Sequence, residues 1–223
     1  MSRTLLALAL TLVFSTAQAR ADSPRDISKV NGGITAEPGE AYGDLETVNG
    51  GIQVHEGVVA QDVQTVNGGI RLGDQAQVQS ATTVNGGIKA GQGVRVRDDA
   101  ETVNGGIRFD FHSSIGGDVS TVNGGITLRQ SEVGGEVSTV GGDIIIGARS
   151  VVRGGLIVHK QNRMGISWGK PRIPRVVIGP NAVVEGPLRF DREVELYVAP
   201  SARTGPISGA VAKPFSGELP PRD

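Results

Sequence analysis

The chain has no cysteine, few aromatic residues and almost no net charge. The absence of cysteine excludes disulfide bonds, thiolate metal sites, cysteine nucleophiles and a lipidated N-terminal cysteine. Aromatic residues make up only 4% of the 223 residues, which is little for the core of an ordinary globular domain. A formal net charge of −1 provides no general attraction to nucleic acid, so no nucleic-acid partner is expected.

Long apolar runs are also missing, except near the N-terminus. Arg3 supplies a positive charge, residues 5–14 form an apolar stretch, and Ala17 and Ala19 fit a small-residue cleavage site. This order is typical of a secretory signal peptide, which we place at residues 1–21. The run is short for a membrane span of roughly 20 residues. We therefore expect cleavage, no transmembrane segment in the mature protein, and a periplasmic or secreted bacterial location.

Glycine is abundant, at 34 residues, and much of it belongs to one internal repeat. The sequence Val-Asn-Gly-Gly-Ile occurs six times, and successive copies begin 18 or 19 residues apart, at Val30, Val48, Val66, Val84, Val103 and Val122. A seventh copy begins at Val140 and is altered to Val-Gly-Gly-Asp-Ile. A motif this regular indicates a repeat architecture.

Two folds are compatible with the repeat. Asn-Gly between β-branched residues is a strong hairpin signal and predicts an antiparallel meander. Alternatively, each repeat is one coil of a β-solenoid, in which equivalent residues stack on each other. The invariant Val and Ile favour the solenoid, because a hairpin turn does not require the same flanking residues each time. We therefore predict an all-β fold, a three-sided single-stranded parallel β-helix with 18–19 residues per coil.

Stacked coils bring like side chains together in columns. Asparagine amides can then bond from coil to coil as a ladder, comprising Asn31, Asn49, Asn67, Asn85, Asn104 and Asn123. The Val and Ile of each motif and the second residue after Ile share parity, so we expect all three to face one side. A second apolar column precedes the motif, formed by Leu45, Val63, Ala81, Ala100, Val119 and Val137.

The repeat pattern also sets the expected boundaries. Residues 22–28 read as a loose polar leader, and residues 29–208 as a solenoid of about nine or ten coils. A segment at about residues 159–175 does not fit the repeat and is interpreted as an insertion. Residues 209–223 are rich in Pro and Gly and are expected to be a disordered tail.

Part of the chain resembles a known group of proteins. The pattern Ile-Gly-x-x-Ala-x-Val-x-Gly at residues 178–186, on coils of this length, is similar to that of the bactofilins. Those are polymer-forming bacterial proteins, and the resemblance implies a right-handed, three-sided β-helix over roughly residues 30–207. The Val-Asn-Gly-Gly-Ile repeats also look like those of uncharacterised adhesin-like envelope proteins. Bactofilins act in the cytoplasm, whereas this chain carries an export signal, and the resemblance brings no catalytic residues.

Two columns of charged residues are candidate sites. An acidic column stands three residues before the Thr that precedes each motif, and comprises Asp44, Asp62, Asp99, Asp118 and Glu136. It is either a set of corner residues that accept backbone N–H bonds or a weak site for a cation such as Ca²⁺. A basic stripe of Arg71, Lys89 and Arg108 repeats at one outward position. It is either solvated surface or a track for an anionic polymer.

The insertion is the strongest candidate for a binding site. It is rich in cations, lacks acids and holds the only tryptophan, and its proposed partner-binding residues are Arg163, Trp168, Lys170, Arg172 and Arg175. Insertions in repeat proteins often lie on the binding face. The alternative is that this segment folds back and covers the flank of the solenoid.

Enzyme signatures are absent from the sequence. It contains no nucleophile motif, phosphate loop or His-x-x-Glu-His metal pattern, so no catalytic residues are assigned. A polysaccharide lyase or hydrolase on a β-helix is the alternative that the charged columns leave open. We expect a non-catalytic envelope scaffold that self-associates end to end and binds an envelope polymer or protein, with no cofactor other than possible Ca²⁺.

Overall fold

The computed structural model describes residues 24–160, 172–217 and 220. The predicted signal peptide at residues 1–21 and the centre of the insertion lie outside the described residues. All regular structure in the described part of the chain is β, in short strands joined by tight corners. The expectation of an all-β fold is therefore confirmed.

The strands are given in chain order. The first nine are β1 (Arg25–Asn31), β2 (Ile34–Ala36), β3 (Tyr42–Asn49), β4 (Ile52–Val54), β5 (Asp62–Asn67), β6 (Ile70–Leu72), β7 (Gln77–Val78), β8 (Ser80–Thr83) and β9 (Ile88–Ala90). The next nine are β10 (Arg95–Val96), β11 (Ala100–Thr102), β12 (Ile107–Phe109), β13 (Ser114–Ile115), β14 (Val119–Thr121), β15 (Ile126–Leu128), β16 (Glu132–Val133), β17 (Val137–Thr139) and β18 (Ile144–Ile146). The last nine are β19 (Val151–Val152), β20 (Leu156–Val158), β21 (Arg175–Ile178), β22 (Val183–Val184), β23 (Leu188–Phe190), β24 (Glu195–Val198), β25 (Arg203–Thr204), β26 (Ile207–Ser208) and β27 (Ala212–Pro214).

These strands form three parallel sheets, one on each side of a solenoid of about ten turns. Sheet A has ten strands in the order β1-β3-β5-β8-β11-β14-β17-β20-β23-β26. Sheet B also has ten, β2-β4-β6-β9-β12-β15-β18-β21-β24-β27, and sheet C has seven, β7-β10-β13-β16-β19-β22-β25. Every pairing between these strands is parallel, so the hairpin alternative is wrong and the three-sided solenoid is confirmed. Right-handed coiling stays a prediction of the resemblance.

One narrow core runs the length of the solenoid. The motif isoleucines line it from sheet B, and the second apolar column lines it from sheet A, all at most 1% exposed. Smaller residues such as Val78, Val96 and Val133 fill it from sheet C. Phe109 is the largest fully buried side chain in the described residues. Because each turn contributes only a few aliphatic side chains, the fold does not need a high aromatic content.

The motif valines do not face the core, which corrects the parity argument. They are 37–67% exposed, whereas the preceding threonines Thr47, Thr65, Thr83, Thr102, Thr121 and Thr139 are 1–4% exposed. The valine ends a strand of sheet A and the isoleucine begins a strand of sheet B, with the Asn-Gly-Gly corner between them. Counting parity across a corner fails, because the alternation of side chains holds only within one strand.

Both expected ends of the solenoid are corrected. β1 begins at Arg25, so residues 25–28 belong to sheet A rather than to a loose leader. At the other end, β27 adds a strand to sheet B by pairing with β24. Phe215 then packs against Val177 and Ala199 on the outside of that sheet. The expected disordered tail is therefore wrong for residues 212–215, because a buried aromatic side chain holds them in place.

The insertion interrupts one corner of the solenoid. It lies between β20 of sheet A and β21 of sheet B, where the first six copies of the repeat place Asn-Gly-Gly. The stacking continues past it, since β21 pairs in register with β18. The insertion therefore leaves the solenoid from the corner between sheets A and B and returns to the same corner.

Candidate functional site

The corner between sheets A and B carries the predicted asparagine ladder. Asn49 Nδ2 donates to Asn31 Oδ1 at 3.0 Å. The same bond repeats at 2.9 Å from Asn67, Asn85, Asn104 and Asn123, each to the asparagine one turn before. The ladder is confirmed, and every amide in it points its nitrogen towards the N-terminal end of the solenoid.

The glycines of this corner allow successive turns to approach closely. The Thr47 hydroxyl donates to the carbonyl oxygen of Gly32 in the preceding turn at 2.9 Å. A Cβ on Gly50 would overlap that same oxygen, and the first glycine of each later copy is in the same position. The buried threonine and the first glycine of the motif are therefore a matched pair, which explains why both recur.

The acidic column lies at the corner that precedes sheet A. Asp118 Oδ1 accepts the backbone N–H of Glu136 at 2.7 Å, and Asp99 Oδ1 accepts that of Asp118 at 2.7 Å. Asp44 Oδ1 accepts the N–H of Asp62 in the same way, at 3.3 Å. These carboxylates stabilise the corner, as the first of the two sequence interpretations expects. Calcium binding by the column stays a prediction, and the described residues contain no group of three or more His, Asp or Glu side chains placed to hold a metal ion.

The basic stripe is a continuous column on the outside of sheet B. Arg71 pairs in register with Lys89, and Lys89 with Arg108. Arg108 is neutralised by Asp110, 3.2 Å away. Arg71 and Lys89 are exposed and form no ion pair with another residue in the described part of the chain. The column is thus a surface where two neighbouring cations face solvent.

Two of the five insertion candidates are described, and both hold the solenoid together. Arg172 forms an ion pair with Asp143 at 2.5 Å. The backbone N–H of Arg175 donates to the other oxygen of Asp143 at 3.0 Å, and its guanidinium lies 4.7 Å above the Tyr197 ring. Arg163, Trp168 and Lys170 lie outside the described residues. Arg172 and Arg175 therefore anchor the returning end of the insertion.

The seventh copy of the repeat departs from the pattern where the insertion is anchored. Gly141 replaces the ladder asparagine, and Asp143 replaces the second glycine. Arg192 reaches back from a later turn, donating to Val140 O at 3.0 Å and to Arg172 O at 2.9 Å. The result is a cavity of about 400 Å³ at the end of the ladder, lined by Asn123, Gly124, Gly125, Gly141, Gly142, Asp143, Arg172 and Arg192. Sequence reasoning missed this cavity, although the altered copy was the available signal.

A larger trough follows sheet C. It encloses about 830 Å³ and extends from Tyr42 to Arg153 over several turns. Gln77, Arg95 and Ser114 stand in register along it. Sequence reasoning missed this trough as well, because the short strands of sheet C carry no invariant motif.

The Glu136 carboxyl group has a pKa displaced from its ordinary value. Partial burial raises the pKa of Glu136 above its ordinary value, and the nearby Asp118 carboxylate raises it further. Electrostatic interactions with His159 and Arg189 lower the pKa of Glu136. These two residues flank Asp191, with His159 Nδ1 at 3.7 Å and Arg189 Nε at 3.4 Å from its carboxylate.

Comparison with known proteins identifies no relative of this chain. No family model matches the chain, and searches of curated proteins and of solved structures find no match. Within the described residues, no helix is long and apolar enough to cross a membrane. Arguments about function therefore rest on the geometry of this chain alone.

Proposed function

We propose that the protein is a non-catalytic scaffold of the bacterial cell envelope, exported through its N-terminal signal peptide. The observation that carries this proposal is the continuous parallel stacking of about ten turns around one core. At roughly 4.8 Å per turn, such a solenoid is a rod about 45 Å long. Each inner turn is bonded to both neighbours and shares their core, so the rod is stiff and presents its side chains in straight columns.

The partner that this rod would bind is an anionic polymer or a protein of the envelope. The basic stripe supports this, since Arg71 and Lys89 repeat at the spacing of the turns and neither forms an ion pair with a described acidic residue. The insertion supports it too, because both its ends contact the solenoid, through His159 beside Asp191 and through the ion pair of Arg172 with Asp143. A fastened loop loses less conformational entropy on binding than a free one.

Self-association through the N-terminal end is the second part of the proposal. In later turns the N–H of the motif valine donates to the turn before, as Val84 does to Thr65 O at 3.2 Å. Val30 occupies that position in β1, which is the outermost strand of sheet A. An open strand edge can pair with a second chain. At the other end, Pro214 lies in β27, the outermost strand of sheet B, and cannot donate a backbone N–H. The contact expected is therefore head to head.

Cosedimentation with purified peptidoglycan tests the proposed function. Mature protein is expected to pellet with peptidoglycan, and less of it should pellet as the salt concentration rises, because exposed charges are screened.

Variants in the same assay test each surface. The double variant Arg71→Gln with Lys89→Gln tests the basic stripe, and Arg163→Ala with Trp168→Ala tests the insertion. Arg203→Gln on sheet C is the control. Parallel samples with Ca²⁺ and with chelator test the cation prediction. Equal amounts of protein in the supernatant with and without peptidoglycan would contradict the proposal.

A polysaccharide-active enzyme is the second candidate, and Glu136 is the observation that favours it. A carboxyl group with a raised pKa beside a second carboxylate is the arrangement that glycosidases use for acid and base roles. An assay of new reducing ends on anionic glycans, with Glu136→Gln as the inactive control, separates the two functions. Turnover that Glu136→Gln abolishes would favour the enzyme over the scaffold.

A further inference from the structure

The end of the asparagine ladder is the place where several departures from the repeat meet. Gly141 removes one rung, Asp143 adds a carboxylate, Arg172 arrives with the insertion, and Arg192 arrives from a later turn. Each of these residues lines the same cavity of about 400 Å³. Deviations from an otherwise consistent pattern are expected at functional sites, and anchoring the insertion does not by itself require the loss of the rung at Gly141.

The missing rung leaves an unused hydrogen-bond acceptor. Asn123 Nδ2 donates to Asn104 at 2.9 Å, but no residue in the described ranges donates to Asn123 Oδ1. Gly141 lies in the next turn, and a Cβ built on it would be 3.6 Å from that oxygen. An amide nitrogen in the cavity would therefore take the position of the absent asparagine side chain.

The rest of the lining defines what else a ligand needs. Arg172 and Arg192 supply N–H donors, while Asp143 neutralises Arg172. A carboxylate ligand would meet both Asp143 and the Asn123 oxygen, and a cationic ligand would meet two guanidinium groups. A neutral group with one donor and one acceptor fits both sides, and a secondary amide is such a group. None of the eight described lining residues has an apolar side chain, so this part of the lining offers no apolar contact to the side chain of a peptide.

We propose that this cavity binds the acetamido group of an N-acetylated sugar. The amide N–H of the sugar donates to Asn123 Oδ1, and its carbonyl oxygen accepts from an arginine N–H. A cavity of about 400 Å³ is within the usual size range of small-ligand sites. This inference rests on the proposed function and deepens it, because it names the sugar unit that the scaffold recognises in an envelope polymer.

Two trisaccharides that differ only in their acetamido groups provide the test. An N-acetylglucosamine trimer and the matching glucose trimer are titrated into isotope-labelled mature protein, and amide shifts are followed by NMR. The N-acetylated trimer is expected to shift the signals of Asn123, Gly141 and Gly142 with saturation, and the glucose trimer is not. Equal shifts from both trimers, or none from either, would overturn the proposal. Stronger shifts from N-acetyl-asparagine amide than from the N-acetylated trimer would assign the cavity to a peptide instead.

One substitution separates the binding role from a structural role. Gly141→Asn restores the rung, and its Cβ has only ordinary contacts at 3.5 and 3.6 Å. We expect this variant to melt at a higher temperature and to lose up to about tenfold in affinity for the N-acetylated trimer, as for the loss of one hydrogen bond. Ser138→Asn, at an outward position of β17, is the matched control and should change neither the melting temperature nor the affinity for the trimer. Unchanged affinity in Gly141→Asn would reject the site.

Failure of this site and failure of the scaffold give different results. If Gly141→Asn and the wild type both bind no trimer but still pellet with peptidoglycan, the scaffold stands and the cavity inference falls. If the wild type binds the trimer in solution but does not pellet, the cavity inference stands and the scaffold proposal falls.

Discussion

At the scale of single residues, two adjacent glycines of one corner should respond in opposite ways to the same change. A Cβ on Gly142 would overlap the carbonyl oxygen of Gly124, whereas one on Gly141 would meet nothing closer than 3.5 Å. We predict that Gly142→Ala lowers the free energy of unfolding by about 2–3 kcal/mol through overpacking. Gly141→Ala should raise it by about 0.5 kcal/mol by restricting the unfolded chain. Thermal and denaturant unfolding of both variants checks the signs, and equal effects would show that the turns are not packed this closely.

Glu136 should make stability depend on pH. Because partial burial and Asp118 raise its pKa in the folded state, folding favours the protonated form. The stability that this provides is complete below the ordinary glutamate pKa and is lost as the pH rises through the raised value. Glu136→Gln is therefore expected to melt at a higher temperature than the wild type at pH 7 and at nearly the same temperature at pH 4. A difference that is the same at both pH values would contradict the assignment.

At the scale of elements, each asparagine of the ladder should stabilise the fold in proportion to the number of side-chain hydrogen bonds that it makes. Asn67 makes two side-chain bonds, to Asn49 and from Asn85, whereas Asn31 at the end makes only one. Asn67→Ala is expected to cost about 1 kcal/mol, since exposed amide bonds lie at the lower end of the usual range. Asn31→Ala should cost about half as much. Calorimetry of the two variants measures the ratio, and equal losses would mean that the ladder does not act rung by rung.

The last strand depends on one aromatic side chain. Phe215 is 8% exposed and packs on Val177 and Ala199, so we predict that Phe215→Ala opens β27 and the turn that it covers. The expected cost is about 2–4 kcal/mol in local opening. Hydrogen exchange should speed up in β24 and β27 and stay unchanged in β1 and β3, because repeats contact only their neighbours. Phe111→Ala, at a 41% exposed residue, is the control. Slow exchange in β27 of Phe215→Ala would contradict this account.

At the scale of the whole molecule, the sequence predicts the stacking well because stacking is a periodic property. One requirement explains three features: equivalent residues of successive turns must lie on each other. It accounts for the spacing of 18 or 19 residues, for the second apolar column and for the asparagine column. Each is found in the structure, and so is the interruption between β20 and β21.

What the sequence does not predict depends on contacts that break the period. The side on which the motif valines lie depends on the geometry of a corner, which an alternation rule does not contain. Arg192 meets Val140 from 52 positions away, and Phe215 covers Val177 after the repeat has ended. Left-handed backbone at Gln75 and His112 was equally hidden, since glycine is the usual residue there. The cavity at the end of the ladder was missed because Arg172 and Arg192, which line it, do not belong to the repeat.

The measurement that tests the central claim most directly is size-exclusion chromatography of mature protein with light and X-ray scattering. A rigid scaffold that pairs head to head predicts a rod about 45 Å long that gives way to a dimer about 90 Å long as concentration rises. Val30→Pro, which removes the N–H at the open edge, should abolish the dimer, and Val211→Pro at the other end should not. A compact particle, or a monomer at every concentration, would contradict the account.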